Sequence, residues 1–397
     1  MLAAGLLAAA FAAALAVALY AYLGYPLLLA WLARRRSRPV AARDWTPRVS
    51  LLIPAYNEAA VIAGKLANSL ALDYPAHRLE ILVGSDGSSD GTAALARAFE
   101  GRGVRVLAFP TRRGKAAVLN DLAAAAEGEI LVCTDANVLC AADALRQLVR
   151  PLADPGVGCA SGDVILVNDH AGWSHGETLY YRVERFIQDR ESRLGSTIGA
   201  DGGLYAVRRA LFAPLDPRAV LDDFIVSMRV ALQGFRVVYA PRARGFERTA
   251  VCLADEFRRR KRVAGGIWQA LVHGWGVPRP AHGFLFLAFC SHKLARWAAA
   301  FALGLLLLTS GLLAEAGAWR LVFGAQVAVY GLAGLGAWAA GRGRRLPAWL
   351  RVVLYFVLSN TASVAGVCHA AVRPESVLWA KGRRHPGAPD AAPAGGR

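Results

Sequence analysis

Several features that mark common protein classes are missing from this 397-residue sequence. Its six cysteines form no CxxC pair and no zinc-binding spacing, so they are interpreted as small apolar residues in a reducing compartment. There is no Walker sequence, and no GxGxxG motif follows a predicted strand. The two common phosphate-binding loops are therefore absent.

Charge is missing from residues 2–32, and Arg34, Arg35, Arg36 and Arg38 follow directly. A signal peptide carries its positive charges before the apolar run, whereas this segment carries them after it. The run exceeds the roughly 20 residues needed to cross a bilayer. We therefore predict a transmembrane helix over residues 1–33, with the chain from residue 34 onward in the cytosol.

The whole chain is 55% hydrophobic and carries a formal charge of +17. Nucleic-acid binding would explain the charge but not the apolarity, whereas a membrane protein with cytosolic arginines explains both. Residues 298–372 contain three further predicted spans, at about 298–313, 321–340 and 352–372. An integral membrane protein is therefore expected.

The orientation of the C-terminal end has two opposing indications. The basic loop 341–345 favours the cytosol, and counting spans from there places the tail outside. The tail itself carries Arg373, Lys381, Arg383 and Arg384, which favours the cytosol instead. Residues 385–397 are low in complexity and are predicted to be disordered.

Residues 46–275 alternate short apolar runs with helical stretches. Strands are predicted at 49–53, 81–83, 104–109 and 129–133, separated by helices. This order predicts an α/β domain with a mostly parallel sheet and helices on both faces.

Polar clusters follow three of these strands: AYNE at 55–58, SDGSSD at 85–90 and TDAN at 134–137. Ligands bind beyond the carboxyl ends of strands in open α/β sheets, so three such clusters predict a site. DGSSDG also resembles the start of a calcium loop, but Arg97 occupies the twelfth position, where a glutamate is required. An ordinary βα turn, with Asp90 capping the next helix, is the other interpretation of this stretch.

Carboxylates suit a diphosphate site if a divalent cation bridges them to the phosphate oxygens. Mg²⁺ or Mn²⁺ is the expected ion, and it would neutralise a departing diphosphate.

The sequence resembles the membrane-integrated family 2 glycosyltransferases, which include cellulose, hyaluronan and poly-N-acetylglucosamine synthases. The matching segments occur in the family's order over residues 47 to 270. They are PAYNE, SDGSSDGT, RRGKAAVLN, TDAN, GADGGLYAVRR and LDDFIVSMRVALQGFRVVY. The resemblance implies a GT-A-like nucleotide-binding domain, flanked here by membrane helices.

The resemblance implies a nucleotide-sugar donor, with UDP as the expected nucleotide. By position in the matching segments, the nucleotide-binding residues are Pro54, Tyr56, Glu58, Asp86, Lys115 and Asp135. Asp135 is also the first residue of the metal motif, whose second position is Asn137 where the family often has aspartate.

The resemblance also implies that Asp222 and Asp223 form the catalytic acidic pair, with Asp223 as the general base. Burial beside a sugar is expected to raise the pKa of Asp223. The alternative is that the pair only caps the helix that follows.

Five residues are predicted to bind the acceptor or the diphosphate: Gly202, Gly203, Arg259, Arg260 and Arg262. The last three match the QxxRW stretch of the polymerising members, but Arg replaces Gln and Val263 replaces Trp. The acceptor sugar thereby loses a stacking platform, so transfer of one or a few sugars to a lipid or short glycan becomes an alternative to processive synthesis.

The RRRKR run is assigned to a membrane surface rather than to nucleic acid. Residues 255–275 place Phe257, Trp268 and Trp275 near one helical face, as in an amphipathic helix that contacts membrane lipids. Residues 276–297 are predicted to form a second interfacial segment.

The predicted function is an inverting glycosyltransferase with a cytosolic active site that extends a polysaccharide of the cell envelope or exterior. Transfer to a membrane lipid is the alternative. A transporter or channel subunit with a degenerate nucleotide domain is a remote one, since the spans lack charges along a substrate path. Four spans are few for a solitary channel, so export would need a partner or a homo-oligomer.

Overall fold

A computed structural model of the protein describes residues 1–167, 174–248, 252–315 and 317–373. The segment 385–397, predicted to be disordered, lies outside the described residues, as do three of the four basic tail residues.

The described strands form one sheet. They are β1 (Val49–Ala55), β2 (Leu79–Asp86), β3 (Val104–Phe109), β4 (Ile130–Thr134), β5 (Val138–Cys140), β6 (Val157–Val167), β7 (Leu204–Arg208) and β8 (Arg236–Arg248). Their order across the sheet is β3-β2-β1-β4-β7-β6-β8-β5.

The described α-helices precede, separate and follow these strands. They are α1 (Leu2–Leu19), α2 (Tyr25–Arg35), α3 (Ala59–Leu70), α4 (Thr92–Arg97), α5 (Lys115–Ala125), α6 (Ala144–Val149), α7 (Ser174–Leu194), α8 (Asp222–Leu232), α9 (Leu253–His273), α10 (Phe284–Phe289), α11 (Ala295–Leu312), α12 (Gly317–Gly341) and α13 (Ala348–Val372).

The sheet has a parallel half and a mixed half. Strands β3, β2, β1 and β4 are parallel to one another. Strand β7 is antiparallel to both β4 and β6, β6 is parallel to β8, and β5 is antiparallel to β8. The predicted α/β domain is confirmed, and its sheet is mixed because β7 and β5 reverse direction.

The alternation of side chains in the central strands explains why helices cover both faces. In β1, Leu51 and Ile53 lie in one apolar core, whereas Leu52 lies in the other. In β4, Val132 joins the first core and Leu131 the second. Side chains alternate between faces along a strand, so a fully buried strand needs apolar residues at every position.

Among the described residues, four helical segments are long and apolar enough to cross a membrane. They are Leu2–Arg35, Phe284–Leu312, Gly317–Gly341 and Ala348–Val372. The last of them packs closely on α9, where a Cβ at Gly366 would lie 2.3 Å from the carbonyl oxygen of Lys261. The membrane part is therefore in direct contact with the helix that carries the basic run.

Most of the segment predicted as interfacial, residues 276–297, lies in a continuous helical segment that begins at Phe284 and ends at Leu312. A π-helical turn at Cys290–Leu294 joins α10 to α11, and a similar turn at Tyr20–Gly24 joins α1 to α2. Tyr25 donates a hydrogen bond of 2.7 Å to Glu191 in α7, and the His292 ring lies 2.9 Å from the same carboxylate. These polar contacts connect the first and second apolar segments to the α/β domain.

Candidate active site

The three predicted polar clusters lie at one edge of the sheet. Strands β2, β1 and β4 are parallel neighbours, with Ala55 of β1 in register with Ser85 of β2. Their carboxyl ends therefore point the same way, as expected for the ligand edge of an α/β sheet.

Asp86 ends β2 and binds the loop that leads into α5. Its two carboxylate oxygens accept hydrogen bonds from the backbone N–H groups of Arg113 (2.7 Å) and Gly114 (2.9 Å). The adjacent Gly87 has φ +62°, and a Cβ there would lie 2.5 Å from the backbone of Arg112. Asp86 thus fixes the backbone immediately before Lys115.

The AYNE cluster is tied to the same edge. Tyr56 stacks under the guanidinium of Arg112, with 4.2 Å from the ring centroid to Cζ. Glu58 is buried, and its backbone N–H donates to the Thr92 hydroxyl (2.8 Å). Pro54, inside β1, is in register with Gly84. The predicted nucleotide residues of β1 and β2 therefore share one surface.

Asp90 has a structural role. One carboxylate oxygen accepts the N–H of Ala59, the first residue of α3, and the other accepts the N–H of Thr92, the first of α4, both at 3.1 Å. A single aspartate thus satisfies unpaired N–H groups at the start of two helices.

Lys115, the first residue of α5, joins two predicted functional carboxylates. Its Nζ lies 2.9 Å from Asp135 and 3.2 Å from Asp222. Burial disfavours the ammonium, but the two carboxylates outweigh burial, so the pKa of Lys115 is raised. This lysine brings the end of β4 and the start of α8 together.

The acidic pair occupies the first turn of α8. Burial raises the pKa of Asp222, and burial together with the neighbouring Asp222 raises the pKa of Asp223 to about 6. Asp223 accepts the N–H of Phe224 at 2.7 Å. The pair does begin a helix, as the capping alternative required, but Asp223 also has the perturbed pKa expected of a proton acceptor.

Gly202 lies against the Asp223 carboxylate. A Cβ at Gly202 would be 2.5 Å from Asp223 Oδ2. The carbonyl of Gly203 accepts a hydrogen bond from the Thr134 hydroxyl (2.8 Å), which ties this loop to the end of β4. The missing side chain at 202 therefore leaves room for the Asp223 carboxylate.

Lys65, in α3, is a fully buried residue that the sequence interpretation did not single out. Its Nζ donates to the Thr134 hydroxyl (2.9 Å) and to the Val138 carbonyl (2.5 Å), and burial lowers its pKa. It supports both sides of the loop that carries Asp135 and Asn137. Its place among apolar helix residues gave no signal of this role.

Asn137 is suited to a hard cation through its amide oxygen. The side chain is 9% exposed, and Nδ2 donates to Glu247 (2.8 Å). Oδ1 is buried without a hydrogen-bond partner among the described residues. Within those residues no group of three His, Cys, Asp or Glu side chains forms a metal site, so a cation would depend on Asp135, Asn137 and oxygens of its ligand.

Asp201 is a second residue that the sequence interpretation missed. Burial raises its pKa to about 7, with the negative charges of Glu247 and Asp223 adding to the effect and the Gly203 N–H opposing it. Because the charge of Asp223 acts on it, the Asp201 carboxyl lies near the predicted catalytic pair. The GADGG segment that carries it was already noted for its glycines.

The three predicted arginines of α9 have different environments. Arg259 and Arg260 donate to the fully buried Glu256 (2.8 and 2.9 Å), which also accepts from Tyr355 of α13 (2.9 Å). Arg262 is near the acidic residues of the site. Burial lowers the pKa of Arg262, and the negative charge of Asp135 is the largest effect that raises it. Its Nε has no hydrogen-bond partner in the described part of the chain.

Known proteins resemble parts of this chain in sequence. Residues 50–213 match the family described as Glycosyl transferase family 2. The chain is 26% identical over 230 residues to a poly-beta-1,6-N-acetyl-D-glucosamine synthase of Staphylococcus aureus, which covers 56% of this chain and 55% of that protein. The same enzyme of Staphylococcus epidermidis is 25% identical over 230 residues. The chain spans about half the length of these curated relatives.

A solved structure resembles the chain over most of its length. It is the mannosyltransferase PcManGT of Pyrobaculum calidifontis in complex with GDP-Man and Mn²⁺. The TM-score is 0.70 at 26% identity, over 91% of this chain and 99% of that one. Residues 50–213 thus match the glycosyltransferase family 2 model, and the fold of the chain is similar to that of a solved mannosyltransferase.

Proposed function

We propose that the protein transfers a sugar from a nucleotide diphosphate donor to an acceptor at the membrane, with inversion at the anomeric carbon. The observation that carries this proposal is the position of Asp223. It is half-buried at the start of α8, next to the ion-paired Lys115, Asp135 and Asp222, with Gly202 leaving space at its carboxylate.

Asp223 would act as the general base. The acceptor hydroxyl oxygen forms a bond to the anomeric carbon, its proton passes to Asp223, and the bond from that carbon to the diphosphate oxygen breaks. A single displacement of this kind inverts the configuration. With a pKa of about 6, the carboxylate is ionised at neutral pH, and the rate should fall as the pH decreases below that value.

The donor site is assigned to Pro54, Tyr56, Glu58 and Asp86 at one end, and to Lys115 and Arg262 at the other. When bound, Mg²⁺ or Mn²⁺ would neutralise charge on the departing diphosphate. Asp135 and Asn137 are the residues that would hold it. UDP-sugars are the first candidates, and the resemblance to a structure holding GDP-Man adds GDP-mannose as a second.

The first candidate acceptor is a growing polysaccharide of the cell envelope or exterior, as in the staphylococcal relatives. A second candidate is a membrane lipid that receives one sugar. It is favoured by Val263, which is 40% exposed and offers no aromatic surface where polymerising members have tryptophan. The contact between α9 and α13 supports an acceptor that arrives from the membrane.

For topology, we propose that the α/β domain lies on the cytosolic side of a bacterial inner membrane. The arginines that follow the first apolar segment support this orientation. Membrane lipids would contact α9, and export of a long product would require a partner chain or a homo-oligomer.

The test is a transfer assay on the purified protein in nanodiscs with Mn²⁺, native lipid extract and a panel of UDP- and GDP-sugars. Released nucleotide and the size of the labelled product are measured between pH 5 and 8. Asp223→Asn should lower kcat by about 10²–10⁴. Asp73→Asn, which affects an exposed ion pair with Arg146, is the matched control.

A long product lost in Asp223→Asn would establish the polymerase, and a single-sugar lipid would establish the second candidate. Nucleotide release that is the same in Asp223→Asn and wild type would contradict the role of Asp223. Absence of release from every donor would contradict the proposed function.

A further inference from the structure

We propose that Glu247 is a positioning residue that orients Asn137 so that its amide oxygen binds the divalent cation, and that Glu247 supplies the charge an aspartate would bring there. This inference rests on the proposed function. It concerns two residues 110 positions apart in the chain.

The sheet brings the two residues together. Strand β5 is antiparallel to β8, and Val138 is in register with Glu247. Asn137 directly precedes β5, and its Nδ2 lies 2.8 Å from Glu247 Oε1. The contact is thus built into the backbone pairing of two strands.

This hydrogen bond determines which way the amide faces. An ionised carboxylate only accepts hydrogen bonds, so the NH₂ group must face Glu247 and Oδ1 must face away from it. An amide in a less constrained place could rotate by 180° and exchange the two ends. Glu247 therefore selects the orientation that presents oxygen to the site.

The presented oxygen is buried and unsatisfied. Asn137 is 9% exposed, and its Oδ1 has no hydrogen-bond partner among the described residues. A buried acceptor left in that state costs free energy, so the geometry requires an electropositive partner. A hard cation held also by Asp135, two residues earlier, satisfies that requirement.

The charge balance gives Glu247 a second role. An amide oxygen binds a cation but brings no negative charge, and Lys115 already neutralises part of the charge on Asp135. The carboxylate of Glu247, directly behind the amide, polarises it and restores a negative charge near the ion. Outer carboxylates that hold a ligand in this way typically contribute 10–100-fold to metal affinity.

The experiment measures Mn²⁺ binding directly, by electron paramagnetic resonance of free Mn²⁺, in the full-length protein in nanodiscs with UDP or GDP. Glu247→Gln removes the charge and lets the amide turn, so Mn²⁺ affinity should fall by about 10–100-fold. Glu127→Gln, at an exposed ion pair with Arg48, is the matched control and should bind like wild type.

Exchanging the two groups gives the sharper test. Asn137→Asp alone places two carboxylates in contact, so it should bind Mn²⁺ no more tightly than wild type. Asn137→Asp combined with Glu247→Gln restores one carboxylate and one amide, and should recover the affinity lost in Glu247→Gln. Thermal unfolding of each variant identifies loss of fold, and Asn137→Asp keeps the test decisive if Glu247→Gln does not fold.

Two results with the Glu247 and Asn137 variants would overturn the inference. One is wild-type Mn²⁺ affinity in Glu247→Gln, and the other is tighter binding in Asn137→Asp than in wild type. Absence of Mn²⁺ binding by the wild type also rejects it. Sugar transfer that is independent of Mn²⁺ but lost in Asp223→Asn would reject this inference while leaving the proposed function intact.

Discussion

The two halves of the sheet use aspartate in opposite ways. In the parallel half, the side chains of Asp86 and Asp90 each accept two backbone N–H groups and so hold loops and helix starts in place. At the start of α8, against the mixed half, Asp223 accepts a single N–H and lies beside the like-charged Asp222. One half uses carboxylates to organise the backbone, and the other keeps one poised to take a proton.

This difference follows from what surrounds each carboxylate. Backbone hydrogen bonds stabilise an ionised carboxylate, whereas burial and a like charge destabilise it. The pKa of about 6 at Asp223 is the result of the second environment. The proposed site thus combines a half in which carboxylates fix the backbone with a half in which a carboxyl has a raised pKa, and Lys115 links β4 to α8.

The largest effect is expected at the glycine that makes room for the base. In Gly202→Ala the new Cβ would be 2.5 Å from Asp223 Oδ2, so the carboxylate must move. A displacement of about 1 Å at a catalytic group can cost 10²-fold in rate, so kcat should fall by about that factor while the unfolding temperature changes less.

Gly101→Ala is the control for this substitution, because a Cβ at Gly101 meets nothing within 4 Å. Unchanged kcat in Gly202→Ala would mean that Asp223 is not the general base. The difference between the two halves of the sheet would then have no bearing on catalysis.

A smaller effect, on stability, is expected in the donor half. Asp86→Asn leaves one acceptor oxygen for two N–H groups and turns an NH₂ toward the other. The variant should lose about 1–3 kcal/mol of unfolding free energy, measured by denaturation of the purified protein, together with affinity for the nucleotide.

Asp73→Asn is again the control, because its ion pair with Arg146 is exposed and should contribute little. Wild-type stability in Asp86→Asn would contradict the view that this carboxylate organises the loop before Lys115.

The fold and part of the site were predictable because their signals are local. Apolar runs predicted the strands, and the polar residues after them placed Asp86 and Asp135 at one edge. The contact between Asn137 and Glu247 depends on the register of β5 against β8, which no local pattern encodes. The role of Lys65 could not be predicted for a similar reason, since its hydrogen-bond partners come from a loop about 70 residues away.

The basic run of α9 shows a signal that was present but not used. Glu256 precedes Arg259 by three residues and Arg260 by four, the spacings at which charged side chains pair on a helix. That spacing predicts intrahelical ion pairs for these two arginines and leaves Arg262 as the one directed toward the carboxylates. The diphosphate role of Arg259 and Arg260 stays a prediction.

The smallest expected effect is a gain in stability, whereas most substitutions lower the stability of a protein. Asp223 has a folded-state pKa of about 6, above its ordinary value of 3.8, so its contribution to stability is present at low pH and lost as the pH rises through 6. Asparagine is uncharged, like the protonated acid, so the variant does not lose this stability as the pH rises. Asp223→Asn should therefore gain stability relative to wild type between pH 5 and 7.5, by about 1 kcal/mol. Thermal unfolding of both proteins across that range measures the difference in stability. If the variant is less stable than wild type at pH 7.5, the carboxylate of Asp223 is stabilised by hydrogen bonds to the protein, in the way proposed for Asp86.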